Sequence, residues 1–156
     1  MTAQPDLILQ LVQATEDVFK AMIFKRLEPV LPPESDGKRP RSNVVGIVGF
    51  AGSISGLVAF YSTLDAAQEI AGSMLGMDPA DVNGEMPDAI GEVTNMIAGG
   101  FRLRMAEQGE TLALSIPSVT VGSDFYTRFA TDVRRVMCPF KMGNRDVSVE
   151  LILTRS

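Results

Sequence analysis

The chain has no histidine at all. That single absence removes serine–histidine–aspartate and cysteine–histidine catalysis, histidine metal sites and phosphohistidine intermediates together. Cysteine occurs once, as Cys138, so no internal disulfide can form. Its neighbours Val136, Met137 and Phe140 point to a buried thiol and not to an activated thiolate. Long apolar runs are missing too. No segment approaches the roughly 18 apolar residues needed to span a bilayer, and Met1–Asp6 shows no basic region leading into an apolar core. No membrane association and a reducing, cytoplasmic location are the resulting expectations. Basic charge is also short: 14 Lys and Arg stand against 19 Asp and Glu, a net charge of −5 that repels nucleic-acid phosphates. Lys38, Arg39 and Arg41 form the one basic cluster, in a Pro-rich polar segment that reads as a solvated loop. Neither a phosphate loop nor a dinucleotide fingerprint is present.

What remains is an ordinary globular composition. With 156 residues, 46% of them hydrophobic and 21% charged, the chain can bury a core without disulfide or metal staples. One domain over residues 1–156 is expected.

From about residue 5 to 28, Leu7, Leu11, Ala14, Val18, Met22 and Phe24 recur at helical spacing. Pro29, Pro32 and Pro33, then Ser35-Asp36-Gly37, end that helix and open a polar connection to about residue 43. Val44–Phe50 and Ile54–Ser62 read as a β-hairpin around Ala51-Gly52-Ser53. Glycines at 46, 49, 52 and 56 there suggest either close packing by a helix or backbone, or bulges. Thr63 can cap a short helix through Ala66, Ile70, Met74 and Leu75, with Gly76 as its stop. Asp78-Pro79 and Asn83-Gly84 punctuate the chain before a longer helix, from about 84 or 86 to 107, with Pro87 in its first turn. Leu112–Val121, Val133–Met142 and Val147–Thr154 read as strands, with a tight turn at Gly143-Asn144 and an ambiguous region from 122 to 132. The fold class expected is α+β, a mostly antiparallel sheet covered by helices.

The longer helix carries the candidate chemistry. At 100° per residue, Asp88, Glu92, Asn95 and Gly99 fall within roughly 60° on one face, while Ile90, Val93, Ile97 and Phe101 point the other way. Two polar residues on an outer helix face are commonplace. Here, however, Asn is a mediocre midhelix residue, Gly91, Gly99 and Gly100 each cost roughly 1 kcal/mol relative to Ala, and no lysine compensates the stripe. Gly99 leaves clearance one turn beyond Asn95 for a partner's backbone. Met96 beside the stripe suits either a partner surface or the core. Asp88 suits either partner contact or the helix dipole.

The spacing Asp88, Glu92, Asn95, Gly99 resembles the signature of the CheC, CheX and FliY chemotaxis phosphatases: Asp or Ser, three residues, Glu, two residues, Asn, three residues, Gly. Thr94-Asn95-Met96-Ile97-Ala98-Gly99 is similar to CheX in particular, and the order of elements is similar across nearly the whole chain. CheC-like members carry two such motifs; here Glu92 with Asn95 is the sole Glu-x-x-Asn, as in CheX.

This resemblance implies a CheX-like phosphatase acting on the aspartyl phosphate of a CheY-like response regulator, and a homodimer made by joining sheets. It assigns Asn95 to orienting the attacking water and Glu92 to pairing with the regulator's lysine, with Asp88, Met96 and Gly99 on the partner-facing patch. Neither metal nor cofactor is expected in this chain; Mg2+ belongs in the regulator's acidic pocket. Such chemistry is physically economical, because an acyl phosphate is already reactive and mainly requires an in-line water and charge stabilisation. The rival readings are a receiver-binding or flagellar scaffold module without hydrolysis, and a small-molecule domain using the Gly-rich hairpin.

Overall fold

The structure is a computed structural model that describes residues 4–30, 32–35, 40–125 and 133–154. Helix α1 (Gln4–Val18) buries Leu7, Leu11, Ala14 and Val18 as the periodicity requires. The helix does not continue regularly to 28. A π-helical turn at Phe19–Ile23 follows, and Phe24 ends it in the left-handed conformation at φ 60°. The wider turn shifts the phase of the apolar face, so Phe19 and Ile23 enter the core while Met22 and Phe24, expected there, are exposed.

The connection that follows is less irregular than its prolines suggest. Two short strands, β1 (Glu28–Pro29) and β2 (Glu34–Ser35), add to the sheet edge by pairing with a later strand. Pro is tolerated there because an edge strand has one side without a ladder. Lys38 and Arg39 lie outside the described residues, and Arg41 is exposed.

The hairpin forms as expected, with β3 (Ser42–Gly52) antiparallel to β4 (Gly56–Ser62) in the register Val44↔Ser62. Helix α2 (Leu64–Leu75) has the foreseen caps: Thr63 Oγ1 accepts from the Ala66 amide at 3.3 Å, and Gly76 takes φ 67°. Helix α3 (Met86–Glu107) follows with Pro87 in its first turn.

One expected strand is in fact two. The segment 112–121 breaks at Ser115-Ile116-Pro117 into β5 (Leu112–Leu114) and β6 (Ser118–Phe125), each pairing separately with β3. Pro117 lacks an amide proton for a ladder, so the chain steps out and re-enters. The ambiguous region resolves as far as Phe125, where β6 ends; residues 126–132 lie outside the described part. Strands β7 (Val133–Met142) and β8 (Arg145–Thr154) close the sheet around Gly143, at φ 64°.

Among the described residues the sheet is antiparallel throughout, in the order β1-β7-β8-β4-β3-β5, with β2 also on β7 and β6 also on β3. The three helices pack on one face over the main core, into which Val44, Val48, Phe60, Phe140, Val149 and Leu151 project. Period-2 alternation sends Val45, Ala59, Tyr61, Met137 and Ile152 to the opposite face, where they form a smaller cluster. There Glu150 is fully buried, accepting from Tyr61 Oη at 2.6 Å and Arg135 Nε at 2.7 Å. Cys138 is buried as expected, and burial, aided by the Glu150 charge, pushes its thiol from 9.0 up to about 12.

Candidate functional site

Helix α3 separates a core face from an outer face as its periodicity requires. Ile90, Val93, Ile97 and Phe101 are fully buried, whereas Asp88 and Glu92 are exposed and Asn95 and Gly99 half-buried. The inward face is what aims the outward one. Thr94, also fully buried, donates its Oγ1 proton to the Ile90 carbonyl at 2.8 Å and fills a notch above Gly46 of β3. A Cβ at position 46 would collide with that hydroxyl oxygen and lie 3.0 Å from Thr94 Cβ. Gly46 therefore answers to helix packing, and its contact partner is the residue immediately before Asn95.

The other glycines divide by cause. A Cβ on Gly100 would come within 3.3 Å of Ala14 Cβ, so this residue lets α1 and α3 approach. One on Gly91 would come within 3.2 Å of Val119 Cγ2, so that residue admits β6. Gly99 is different. A Cβ there would meet nothing within 4 Å, so no packing among the described residues accounts for it. Gly52 and Gly56 face backbone carbonyls of Thr111 and Ile152 instead.

The Asp88, Glu92 and Asn95 side chains have no hydrogen-bond or ion-pair partner among the described residues. Of the two basic side chains of α3, Arg102 is exposed, while Arg104 donates to Gln13 at 2.9 Å and Asp17 at 2.5 Å and so ties α3 to α1. Met96 is half-buried and packs against the main core. Asp88 stands in the first turn of a helix whose cap residue, Glu85, makes no side-chain cap, so its charge also complements the dipole.

A groove of about 480 Å³ runs beside the stripe, lined by Pro87, Asp88, Gly91, Glu92, Pro117 and Val119. The sequence reading missed Thr94, Pro117 and Val119. Pro117 in the middle of an apparent strand was the available signal for a break in the ladder there. Pairing it with α3 required knowing the packing.

Among the described residues no cluster of acidic or cysteine side chains could hold a metal ion. No helix among them is long and apolar enough to cross a membrane. The arrangement can present a neutral amide and a free carboxylate, three residues apart on a rigid helix, to an incoming surface.

An antiparallel sheet covered on one face by three helices, with one Glu-x-x-Asn stripe facing outward, defines a CheC/CheX-type fold. Residues 44–141 match the family model described as chemotaxis phosphatase CheX, and the chain belongs to that family. A chemotaxis protein CheX from Desulfovibrio desulfuricans is 30% identical, with 95% of this chain and 99% of that one aligned at a TM-score of 0.87. A CheX from Vibrio vulnificus is 26% identical, over 95% of this chain and 99% of that one, at a TM-score of 0.86. The CheX of a Borrelia burgdorferi CheX–CheY–BeF3–Mg2+ complex shares the fold at 21% identity, over 95% and 97% of the two chains, with a TM-score of 0.73. Among curated proteins no sequence matches.

Proposed function

We propose that this protein, one domain over residues 1–156, is a cytoplasmic phosphatase that hydrolyses the aspartyl phosphate of a CheY-like response regulator. The observation that carries the reading is the outward stripe of α3: a carboxylate and an amide without partners among the described residues, aimed by a buried face, in a chain of the CheX family. The Borrelia relative, solved in complex with CheY, BeF3 and Mg2+, supports a receiver domain as partner and Mg2+ as belonging to that partner.

In this reading Asn95 enters beside the phosphate and orients water. Its amide is neutral and offers both donors and an acceptor, so it positions the nucleophile without acting as a strong base. Glu92 pairs with the regulator's lysine and fixes the register of docking. The stripe lies on a helix seated on β3 by the packing of Thr94 over Gly46 and tied to α1 by Arg104, and such placement matters because in-line attack tolerates little misplacement. Gly99 keeps the approach clear. Sheet-to-sheet homodimerisation belongs to the same proposal.

The test follows the decay of a panel of phosphorylated CheY-type receivers with and without the protein. Acceleration that falls on the order of 10²-fold in Asn95→Ala, with binding retained, is the expected result. Binding without acceleration by the wild type would instead make the chain a docking module.

A further inference from the structure

Ile116 is 87% exposed, the highest value of any large apolar side chain among the described residues. A single exposed aliphatic residue is ordinary on a protein surface. Three observations set this one apart. First, its backbone is anchored: the preceding residue, Ser115, donates its amide to the Gly49 carbonyl at 2.9 Å and accepts the Gly49 amide on Oγ at 2.8 Å, and Pro117 follows. An anchored backbone leaves less loop entropy to lose on contact. Second, its neighbour Pro117 forms one wall of the groove whose other wall is the N-terminal half of the stripe. Third, the groove has a definite chemistry: Pro87, Pro117 and Val119 are apolar, and among the described residues both charged ones that line it, Asp88 and Glu92, are acidic.

Apolar walls with carboxylates at the opening match a side chain that is a methylene stem carrying a cation. We propose that Ile116 and the adjoining groove form a docking element for the regulator. Ile116 seats on an apolar patch of the receiver domain, while Asp88 together with Glu92 receives a lysine or arginine whose stem lies along Pro87, Pro117 and Val119. The inference rests on the functional reading above and goes beyond it, since it places affinity in a loop outside α3 and specifies a basic side chain as what Asp88 meets. A short apolar anchor beside a polar stripe is the usual arrangement of a compact interface, where a few residues carry most of the energy.

The experiment measures the rate of decay of a phosphorylated receiver against receiver concentration, and separately the binding of a beryllofluoride-activated receiver. Ile116→Asp should raise the concentration for half-maximal rate about tenfold or more and weaken binding equally, with the maximal rate within about twofold of wild type. Ile116→Val should restore both. Asp88→Asn should weaken binding less than Ile116→Asp, and the loss should shrink at high salt. A wild type that accelerates decay while Ile116→Asp docks normally would overturn this inference alone, as would a variant whose only change is its sedimentation size, which would make a second copy of the chain the occupant. A wild type that accelerates no receiver's decay would overturn the functional reading, and this inference with it.

Discussion

The carboxylates of Glu150 and Glu92 sit in opposite circumstances within the same chain. Glu150 lies in the sheet face away from the helices, fully buried, with Tyr61 and Arg135 donating to it at 2.6 and 2.7 Å. Glu92 is exposed on α3 and has no partner among the described residues. Burial makes a polar group costly unless it is satisfied, so the first site is tied to folding. The second site is free to spend its hydrogen bonds elsewhere. Polar groups on this protein thus sort by whether their partners are already inside the chain.

The largest expected effect attacks the buried member of the comparison. Arg135→Ala removes the guanidinium that donates to buried Glu150 at 2.7 Å and should destabilise the fold by roughly 3–5 kcal/mol in urea unfolding, with phosphatase rate per folded molecule unchanged. If activity fell further than the folded fraction, the two regions would not be separate. Next comes the joint between core and site. Gly46→Ala drives a Cβ into Thr94 and should cost about 1–3 kcal/mol by overpacking, and should also lower the maximal dephosphorylation rate by turning Asn95. Adding Thr94→Ala removes the colliding oxygen and should recover part of both losses; recovery of stability without recovery of rate would mean that α3 is aimed by something else.

Glu92→Ala should leave stability within about 0.5 kcal/mol, as expected for an exposed residue, yet weaken regulator binding about tenfold. Unaltered binding would reduce Glu92 to a solvated side chain. The smallest effect at neutral pH concerns Cys138. Its folded thiol titrates near 12 in place of 9.0, so the folded state holds this proton more tightly than the unfolded one. The contribution is fully present below pH 9 and is lost as pH rises toward 12. Thiol reagents at pH 8 should therefore label Cys138 only as the protein unfolds; labelling at the rate of a free thiol would contradict its burial.

The outward stripe was legible because a 3.6-residue period converts spacing directly into a face, and α3 keeps that period from Met86 to Glu107. Caps at Thr63 and Gly76 were legible for the same local reason. Features that depend on two distant segments were not. Gly46 could be flagged as a close approach, but only packing identifies Thr94 as what approaches it. The π-helical turn after Val18 leaves the residue pattern apolar while changing which residues face inward, so Phe24 read as core and is 78% exposed. Likewise the step at Ile116-Pro117 is hidden inside an otherwise strand-like composition, and the groove it makes with α3 joins residues about 30 positions apart.

The most direct measurement compares wild type with Asn95→Ala on the same phosphorylated CheY-type receiver, at saturating concentration, with binding checked on the beryllofluoride-activated form. Binding within about twofold of wild type and a maximal rate lower by on the order of 10²-fold is the result expected of a water-positioning amide. An Asn95→Ala protein that binds and dephosphorylates at the wild-type rate would contradict the assignment of the outward face of α3 as the catalytic surface.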